Sequence, residues 1–462
     1  MAIGGVMFIP VPATLIFHET TLAPLFIIPG AIALTIGILL WRKFEEEKVS
    51  LGDAMVLVAL AWILISLLGS IPFIFGNGMS FLNAWFESMS GFTATGLTVL
   101  QGQSGWIGGV PAQTIMFWRS LSQWIGGLGV IVLFLIVYPG TGKIARKLFK
   151  SEAREGRIMP SLKGTTGTIL KIYLLFTALG AIGLFLAGMG PFAAINHSMT
   201  GIATGGYTTT PNSFAGYTIP IFGIALTIMI FGAISFRTHH KAISNGWHEF
   251  FKSIEVKAML VLIGLATLAL AWKVGLVDAL FESTSALTGT GFSSTGLIPQ
   301  TWGSFQKGIL TVLMISGGGY GSTSSAIKLI RTIIILGTIY WLIKRAFLPE
   351  RAVVPLKIGG NVYSEKDVME TATYAFLYFI VLIVGSLIVM LAMPGQGTAN
   401  VLFESASAQG NVGLSTGITS IAPPIVKIVF IIQMIAGRLE ILPVLAFLGF
   451  FIKKRPRRRK PV

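Results

Sequence analysis

FESMSGFTATGL, Phe86 to Leu97, returns three more times along the chain, as NHSMTGIATGGY (Asn196 to Tyr207), FESTSALTGTGF (Phe281 to Phe292) and FESASAQGNVGL (Phe403 to Leu414). The four copies align without a gap and share one glycine, at Gly96, Gly206, Gly291 and Gly413. Such self-similarity marks a supersecondary unit used repeatedly. Each copy is preceded by a long apolar stretch and followed, after a short polar stretch, by another. A run such as Phe81 to Phe92 makes about three helical turns, which carries it roughly half-way through a hydrocarbon core about 30 Å thick. The Gly- and Thr-rich residues behind it are poor helix formers and have to return to the same side as extended chain. Non-helical backbone at that depth survives only where protein buries it or where it lines a watery path. Four such loops, as parallel repeats about an axis along the membrane normal, converge on one lumen.

Composition agrees with a membrane setting. The 462 residues are 53% hydrophobic and 11% charged, with a mean hydropathy of +0.79, which excludes a set of soluble domains. Apolar stretches long enough to be considered as spans include Ala54 to Phe75, Met116 to Val137, Ile169 to Leu186, Ile219 to Ser235, Met259 to Trp272, Ala375 to Met393 and Ile425 to Phe451. The first apolar run has no basic stretch before it and no small-residue cleavage site, so it reads as a retained helix. Cysteine is absent, which removes disulfides, thiolate nucleophiles and Cys-based metal sites from consideration.

The net charge of +16 would suggest nucleic acid in a soluble protein, but 26 of the 34 Lys and Arg residues fall in five segments: Arg42 to Lys48, Lys143 to Lys163, Arg237 to Lys257, Lys344 to Lys366 and Lys453 to Lys460. With an even number of crossings between them, all five lie on the cytoplasmic side together with both termini. The tail IKKRPRRRK is then juxtamembrane charge that attracts anionic lipid, and no stacking aromatics interleave it as nucleic-acid binding would require.

The chemistry that suits such loops is dehydration of a monovalent cation. Extended backbone presents successive carbonyl oxygens in place of the hydration shell, and each short pore helix points its partly negative C-terminus at the ion. The shared glycine is needed because φ there is positive or because a Cβ has no room. The candidate filter residues are Thr93, Ala94, Thr95 and Gly96; Ala203, Thr204, Gly205 and Gly206; Thr288, Gly289, Thr290 and Gly291; and Gly410, Asn411, Val412 and Gly413. The threonine hydroxyls brace or extend the carbonyl ladder.

At these loops the sequence resembles the superfamily of K⁺ transporters that includes Trk and Ktr of prokaryotes and the HKT and Trk proteins of plants and fungi, and specifically the Trk-type potassium uptake membrane subunit. FWRSLSQWIGGLGVIVL (Phe117 to Leu133) is similar to that family's second helix of the first repeat, ISGGGYGSTSSAIKLIR (Ile315 to Arg331) to its broken helix of the third, and MIAGRLEILPVL (Met434 to Leu445) to its last helix. The resemblance covers essentially the whole chain. It implies K⁺ as the transported ion, with no organic cofactor in this chain, a homodimer, and a cytosolic nucleotide-binding regulatory subunit of the RCK type. Within the family, glycine at all four filter positions goes with K⁺ selectivity, whereas serine in the first loop goes with Na⁺ permeation in some plant members. The apolar segments Gly4 to Phe17 and Leu22 to Trp41 resemble the family's extra N-terminal hairpin, the first being short for a span.

The fold expected is therefore an all-α polytopic membrane protein with four pseudo-symmetric helix, pore loop, helix repeats around one central pore. It divides into an N-terminal hairpin (1–48), repeats at 49–142, 164–240, 252–346 and 365–454, and a basic tail (455–462), giving ten spanning helices and four pore helices. The function expected is K⁺ uptake. A K⁺/H⁺ or K⁺/Na⁺ symporter and a less selective Na⁺/K⁺ transporter are the alternatives.

Three further features bear on mechanism. Arg438, expected mid-way along the last helix, would face the cavity below the filter and raise a barrier to cations, unless Glu440 or a carbonyl pairs it structurally. The third repeat's last helix, from about Thr301 to Arg345, is broken by Ser316, Gly317, Gly318, Gly319, Tyr320, Gly321 and Ser322, a run that would project into the pore as a gate, with Lys328 and Arg331 anchoring it to a carboxylate or carbonyls. Glu87, Glu282 and Glu404 recur at one offset and are expected to brace pore helix to backbone. His197 replaces the fourth, which excludes a carboxylate ring and leaves a protonation-dependent role open.

Other motif-like stretches fail on context. Gly317 to Ser322 has no strand before it, and PGTGK (Pro139 to Lys143) has Val137 where a phosphate loop needs glycine and Ile144 where it needs Ser or Thr. His239, His240 and His248 read as solvated surface without metal partners. No constellation of catalytic groups suggests an enzyme.

Overall fold

The computed structural model describes residues 1–43, 50–102, 105–129, 162–298, 301–349 and 354–452. Most of the basic stretch Lys143 to Lys163, the PGTGK sequence, Lys48, Arg351, the end of FWRSLSQWIGGLGVIVL and the basic tail lie outside the described residues.

Each repeat is built from an outer helix, a short pore helix, an extended strand and an inner helix. In the first these are Leu51–Gly69, continued past Ser70 as Ile71–Asn77, then Phe81–Phe92 and Gln113–Leu128. In the second they are Leu162–Leu186, Pro191–Ile202 and Ile219–Ala233. The third has Ile254–Val274, Leu276–Thr288 and Ser304–Ser316, and its chain resumes as helix at Leu329–Ala346. The fourth has Glu365–Ala392, Thr398–Gly410 and Pro424–Arg438. Local sequence starts these helices where they start: Ser50 with Asp53 and Ser364 with Asp367 form reciprocal capping boxes at the heads of the first and fourth outer helices.

Every pore helix packs against its own outer and inner helices and also against the inner helix of the preceding repeat. Pro191–Ile202 meets Gln113–Leu128, Leu276–Thr288 meets Ile219–Ala233, Thr398–Gly410 meets Ser304–Ser316, and Phe81–Phe92 meets Pro424–Arg438. The last of these closes the ring. The distribution of side chains is the inverse of a soluble protein's: Glu87, Asn196, His197, Glu282 and Glu404 are fully buried on the pore helices, while Leu179, Leu268 and Leu391 on the outer helices point outward. An apolar exterior of this extent is what lipid covers. Among the described residues five helices are long and apolar enough to cross a membrane unaided, and two further pairs are sharply bent.

The second of those bends corrects an expectation. Ile219–Ala233 turns by 105° into Phe236–Asn245, with Ser235 capping the new helix. The apolar stretch from Ile425 to Phe451 is two helices, not one: the chain turns by 115° after Arg438, with Glu440 at φ 58°, before resuming at Ile441–Ile452. Arg438 is therefore the end of a helix and not its middle. His239 is also not solvated; it is 1% exposed, packs against Phe176, Phe231 and Phe250, and its Nε2 pairs with the Phe231 carbonyl at 2.8 Å. His240 is half-buried and His248 exposed. The basic segment before the fourth repeat contains an unforeseen hairpin, Leu356–Ile358 paired with Asn361–Tyr363, turning on Gly359 and Gly360 at φ 57° and 83°. Leu356 and Ile358 pack it against Ile334 of Leu329–Ala346.

The N-terminal segment is the expected hairpin, with an interruption in its first arm. Its first arm breaks at Pro10 into Ala2–Met7 and Val11–Ile16 before Pro24–Lys43. Between the arms, both carboxylate oxygens of Glu19 accept backbone N–H groups at the head of Gln113–Leu128, from Gln113 and Thr114, each at 2.9 Å. This caps an inner helix of the ring from outside the repeats. Glu19→Ala is expected to lower the stability of the detergent-solubilised protein by about 1 kcal/mol, read as a fall in the thermal midpoint, with Glu19→Gln losing less.

Candidate functional site

All four pore helices end in the same way. The backbone N–H of Thr95, Gly205, Thr290 and Val412 donates to the carbonyl five residues earlier, on Ser90, Thr200, Ser285 and Ser407, at 2.8–3.0 Å. The residue before each donor is left-handed: Ala94 at φ 53°, Thr204 at 50°, Gly289 at 73° and Asn411 at 52°. The shared glycine that follows each donor is left-handed again, at 90°, 78°, 83° and 99°. Two left-handed residues flanking one other turn successive carbonyls towards the same side, which is the geometry a cation ladder requires. Sequence reasoning missed the first left-handed position, although Gly289 and Asn411, residues that tolerate it, were the available signal.

The shared glycines also have no space for a side chain. A Cβ on Gly96 would overlap the Gly205 carbonyl, one on Gly206 that of Thr290, one on Gly291 that of Val412, and one on Gly413 that of Thr95. Each repeat thus lays one carbonyl against the glycine of its neighbour, in the order 1–2–3–4 and back to 1. The four glycines line a single vestibule with Thr98, Thr208 and Ser415 above them. Behind the strands the hydroxyls brace: Thr93 Oγ1 lies 2.7 Å from Thr95 Oγ1, Thr288 Oγ1 lies 2.8 Å from Thr290 Oγ1, and Thr204 Oγ1 donates to the Ala203 carbonyl at 2.8 Å. Asn411 reaches into the next repeat, donating to Thr95 Oγ1 at 2.7 Å, and also donates to the Met434 carbonyl of its own inner helix at 2.9 Å. Gly410, the last residue of its pore helix, lets the Met314 carbonyl of the third inner helix approach.

The recurrent acidic residues brace the outer ends of these strands. In all four repeats the side chain at this offset accepts the backbone N–H twelve residues later: Glu87 from Val99 at 3.1 Å, His197 through Nε2 from Thr209 at 3.2 Å, Glu282 from Ser294 at 2.8 Å and Glu404 from Thr416 at 2.9 Å. Glu404 also accepts from Ser415, the Thr416 hydroxyl and both donors of Thr419. Among the described residues Glu87 alone of the four has a buried cationic partner, Arg119, whose Nε is 2.9 Å away and which is 2% exposed. Arg119 donates further to the Thr208 carbonyl at 3.2 Å, and its guanidinium lies 4.0 Å from the Tyr207 ring centroid, so it joins the first two repeats. The sequence signal for it was an Arg inside an otherwise uncharged inner helix.

The break in the third repeat's last helix is longer than expected, covering residues 317–328. It is buried, and much of its backbone is engaged. Gly319 N–H donates to the Ala233 carbonyl at 2.8 Å, Tyr320 N–H to Glu255 Oε1 at 2.8 Å, and Thr323 Oγ1 to the Ile202 and Gly232 carbonyls at 2.9 and 2.8 Å. Thr323 Oγ1 is also 3.2 Å from Thr204 Oγ1, which links the loop directly to the strand that follows the second pore helix. Irregular backbone inside a membrane needs partners of this kind.

Arg438 donates to the Thr323 carbonyl at 2.7 Å and to the carbonyls of Gly126 and Gly127 at the C-terminal end of the first inner helix. Carbonyls therefore hold it, and the negative end of a helix dipole faces it. Glu440 is engaged elsewhere, by Arg331 at 2.7 Å; Arg331 also lies 4.0 Å from the Tyr374 ring centroid. Lys328 Nζ donates to the Ser324 carbonyl within the loop. No group of His, Asp and Glu side chains able to hold a metal occurs among the described residues.

The comparisons with known proteins accord with this geometry. The family model described as TrkH, cation transport protein, matches residues 23–273 and 269–457. An uncharacterized cation transporter of Methanocaldococcus jannaschii is 35% identical over 452 residues, covering 96% of this chain and 92% of that protein. The Trk system potassium uptake protein TrkH of Escherichia coli is 30% identical over 472 residues, covering 96% and 94%. The crystal structure of the potassium transporter TrkH from Vibrio parahaemolyticus superimposes with a TM-score of 0.82 at 27% identity, over 96% of this chain and 95% of that one.

Because Glu404 satisfies several buried donors and His197 fewer, Glu404→Ala is expected to destabilise by about 3 kcal/mol or more, and His197→Ala by about 1–2 kcal/mol. Thermal unfolding of the purified protein checks the order, which would be wrong if His197→Ala proved the more damaging.

Proposed function

From its membership of the TrkH cation transport protein family, to which the chain belongs, we propose that it is a K⁺ uptake subunit of the cell membrane. The observation that carries this reading is the closed ring of four carbonyl-bearing strands, in which each shared glycine abuts a neighbour's carbonyl and all four open on one vestibule. Relatives named as potassium uptake proteins support K⁺ as the cargo.

In this reading hydrated K⁺ enters the vestibule and exchanges its water for carbonyl oxygens of Thr93–Gly96, Ala203–Gly206, Thr288–Gly291 and Gly410–Gly413. It then passes the loop that begins at Ser316 and the positive charge of Arg438. The membrane potential sets the direction, at about 2.3 kcal/mol per charge per 100 mV. The loop is the gate, since its contacts with Thr204, Ala233, Glu255 and Arg438 let its position be felt at the filter. The clustering of basic residues supports a cytoplasmic position for both termini. The family resemblance implies two partners, a cytosolic nucleotide-binding regulatory subunit of the RCK type and a second copy of this chain, with the N-terminal segment and four repeats divided as the sequence suggests. Against a proton-coupled symporter stands the engagement of Glu440 by Arg331.

Flux in proteoliposomes with K⁺, Rb⁺ and Na⁺ gradients tests the proposal. K⁺ and Rb⁺ are expected to move faster than Na⁺, and equal Na⁺ and K⁺ rates would refute it. Gly291→Ser or Gly413→Ser, which forces a Cβ against a filter carbonyl, is expected to lower the K⁺/Na⁺ ratio. Shortening the glycine run between Ser316 and Ser322 is expected to raise unregulated flux, and an unchanged rate removes the gate assignment.

A further inference from the structure

Just before the shared glycine the second repeat differs from the others: Thr95, Thr290 and Val412 have side chains, whereas Gly205 has none. Backbone conformation does not require glycine there, since Gly205 is outside the left-handed region and L-residues occupy the equivalent places. The space is filled instead by a side chain from another repeat. A Cβ at Gly205 would lie 2.5 Å from Cδ, 2.6 Å from Oε1 and 3.0 Å from Cβ of Gln123. Gln123 belongs to the first inner helix, one turn beyond Arg119, and is 0% exposed.

The amide of Gln123 straddles Gly206. Its Oε1 accepts the Tyr207 N–H at 2.9 Å and its Nε2 donates to the Gly205 carbonyl. The first bond fixes the amide's orientation, because a backbone N–H only donates and so must face the oxygen. The Gly205 carbonyl is also one of the four that abut a neighbour's shared glycine. One carbonyl of the ring thus shares its lone-pair density with an amide, which lowers the field it presents to an ion. Carbonyl field strength is one of the quantities that separate K⁺ from Na⁺, a weaker field favouring the larger and less strongly hydrated ion.

We propose that Gln123 is a positioning residue for the second filter strand: it supplies from the first repeat the wall that residue 205 lacks, and it holds the Gly205 carbonyl at a reduced field that disfavours Na⁺. The ion never touches it; it acts through the Gly205 carbonyl. This rests on the pore reading above.

The test is a swap. Gln123→Ala, Gln123→Met, Gly205→Thr and the double variant Gln123→Ala/Gly205→Thr are reconstituted, and K⁺ and Na⁺ fluxes and thermal midpoints are measured. Gln123→Met keeps the bulk of the wall without its hydrogen bonds, so its midpoint is expected to stay close to wild type while its K⁺/Na⁺ ratio falls about tenfold. Gly205→Thr displaces the amide and is expected to lower the ratio similarly. The double variant, in which the residual Cβ of residue 123 has to yield by a few tenths of an ångström, is expected to recover most of the thermal midpoint that Gly205→Thr loses, while its K⁺/Na⁺ ratio stays low because the residue-205 carbonyl still lacks the amide. A Gln123→Met ratio equal to wild type, or a double variant whose thermal midpoint is no better than that of the worse single, overturns the proposal. If a single variant fails to fold, recovery of a monodisperse protein in the double supports the proposal and continued failure overturns it. Wild-type protein that passes Na⁺ as fast as K⁺ refutes the pore reading instead; the coupling is then read from the midpoints, where strictly additive losses overturn it.

Discussion

An extended strand at mid-membrane depth whose carbonyls face a lumen leaves its N–H groups pointing backwards into protein, and each of them needs an acceptor there. The pore helix provides two. Near its C-terminus the carbonyl of Ser90, Thr200, Ser285 or Ser407 takes the N–H just before the shared glycine, and one turn or so earlier the side chain of Glu87, His197, Glu282 or Glu404 takes the N–H twelve residues on. A single short helix thereby fixes both ends of the strand it feeds. The inside-out character of the chain follows, with carboxylates and an imidazole at the centre and leucines outside.

The repeats depart from one another where a contact within a repeat has been replaced by a contact between repeats. Arg119 and Gln123 join the first repeat to the second, and Asn411 joins the fourth to the first. These are polar bonds in a buried setting, where leaving a group unpaired costs more than pairing it returns. Each therefore constrains two residue choices at once. Gly205 is small because Gln123 is long, and Asn411 stands where the other strands have Ala94, Thr204 and Gly289.

The third repeat turns the same constraint to another use. Its broken helix leaves residues 317–328 without an internal ladder, and the missing partners come from the second repeat, from Glu255 and from within the loop, while Arg438 and the hairpin at Leu356–Tyr363 fix its surroundings. Arg438 also holds the C-terminal carbonyls of the first inner helix, so one guanidinium ties three repeats together.

Glycines and polar residues recurring at one offset among apolar runs have few stable solutions in lipid, so the sequence by itself determined the membrane class, the four repeats, the Phe81–Phe92 pore helix and the broken third repeat. Even the bracing role of Glu87, Glu282 and Glu404 was legible, since a charge so placed inside a membrane needs a local partner. The sequence did not reveal that the last helix ends at Arg438, that His239 is buried among phenylalanines, or that Gln123 fills the place of a missing side chain at Gly205. Those depend on which surfaces meet when the ring closes. Periodicity along one chain records what each segment prefers, whereas the partner of a long polar side chain is set by packing between segments remote in sequence, and only the tertiary structure decided it.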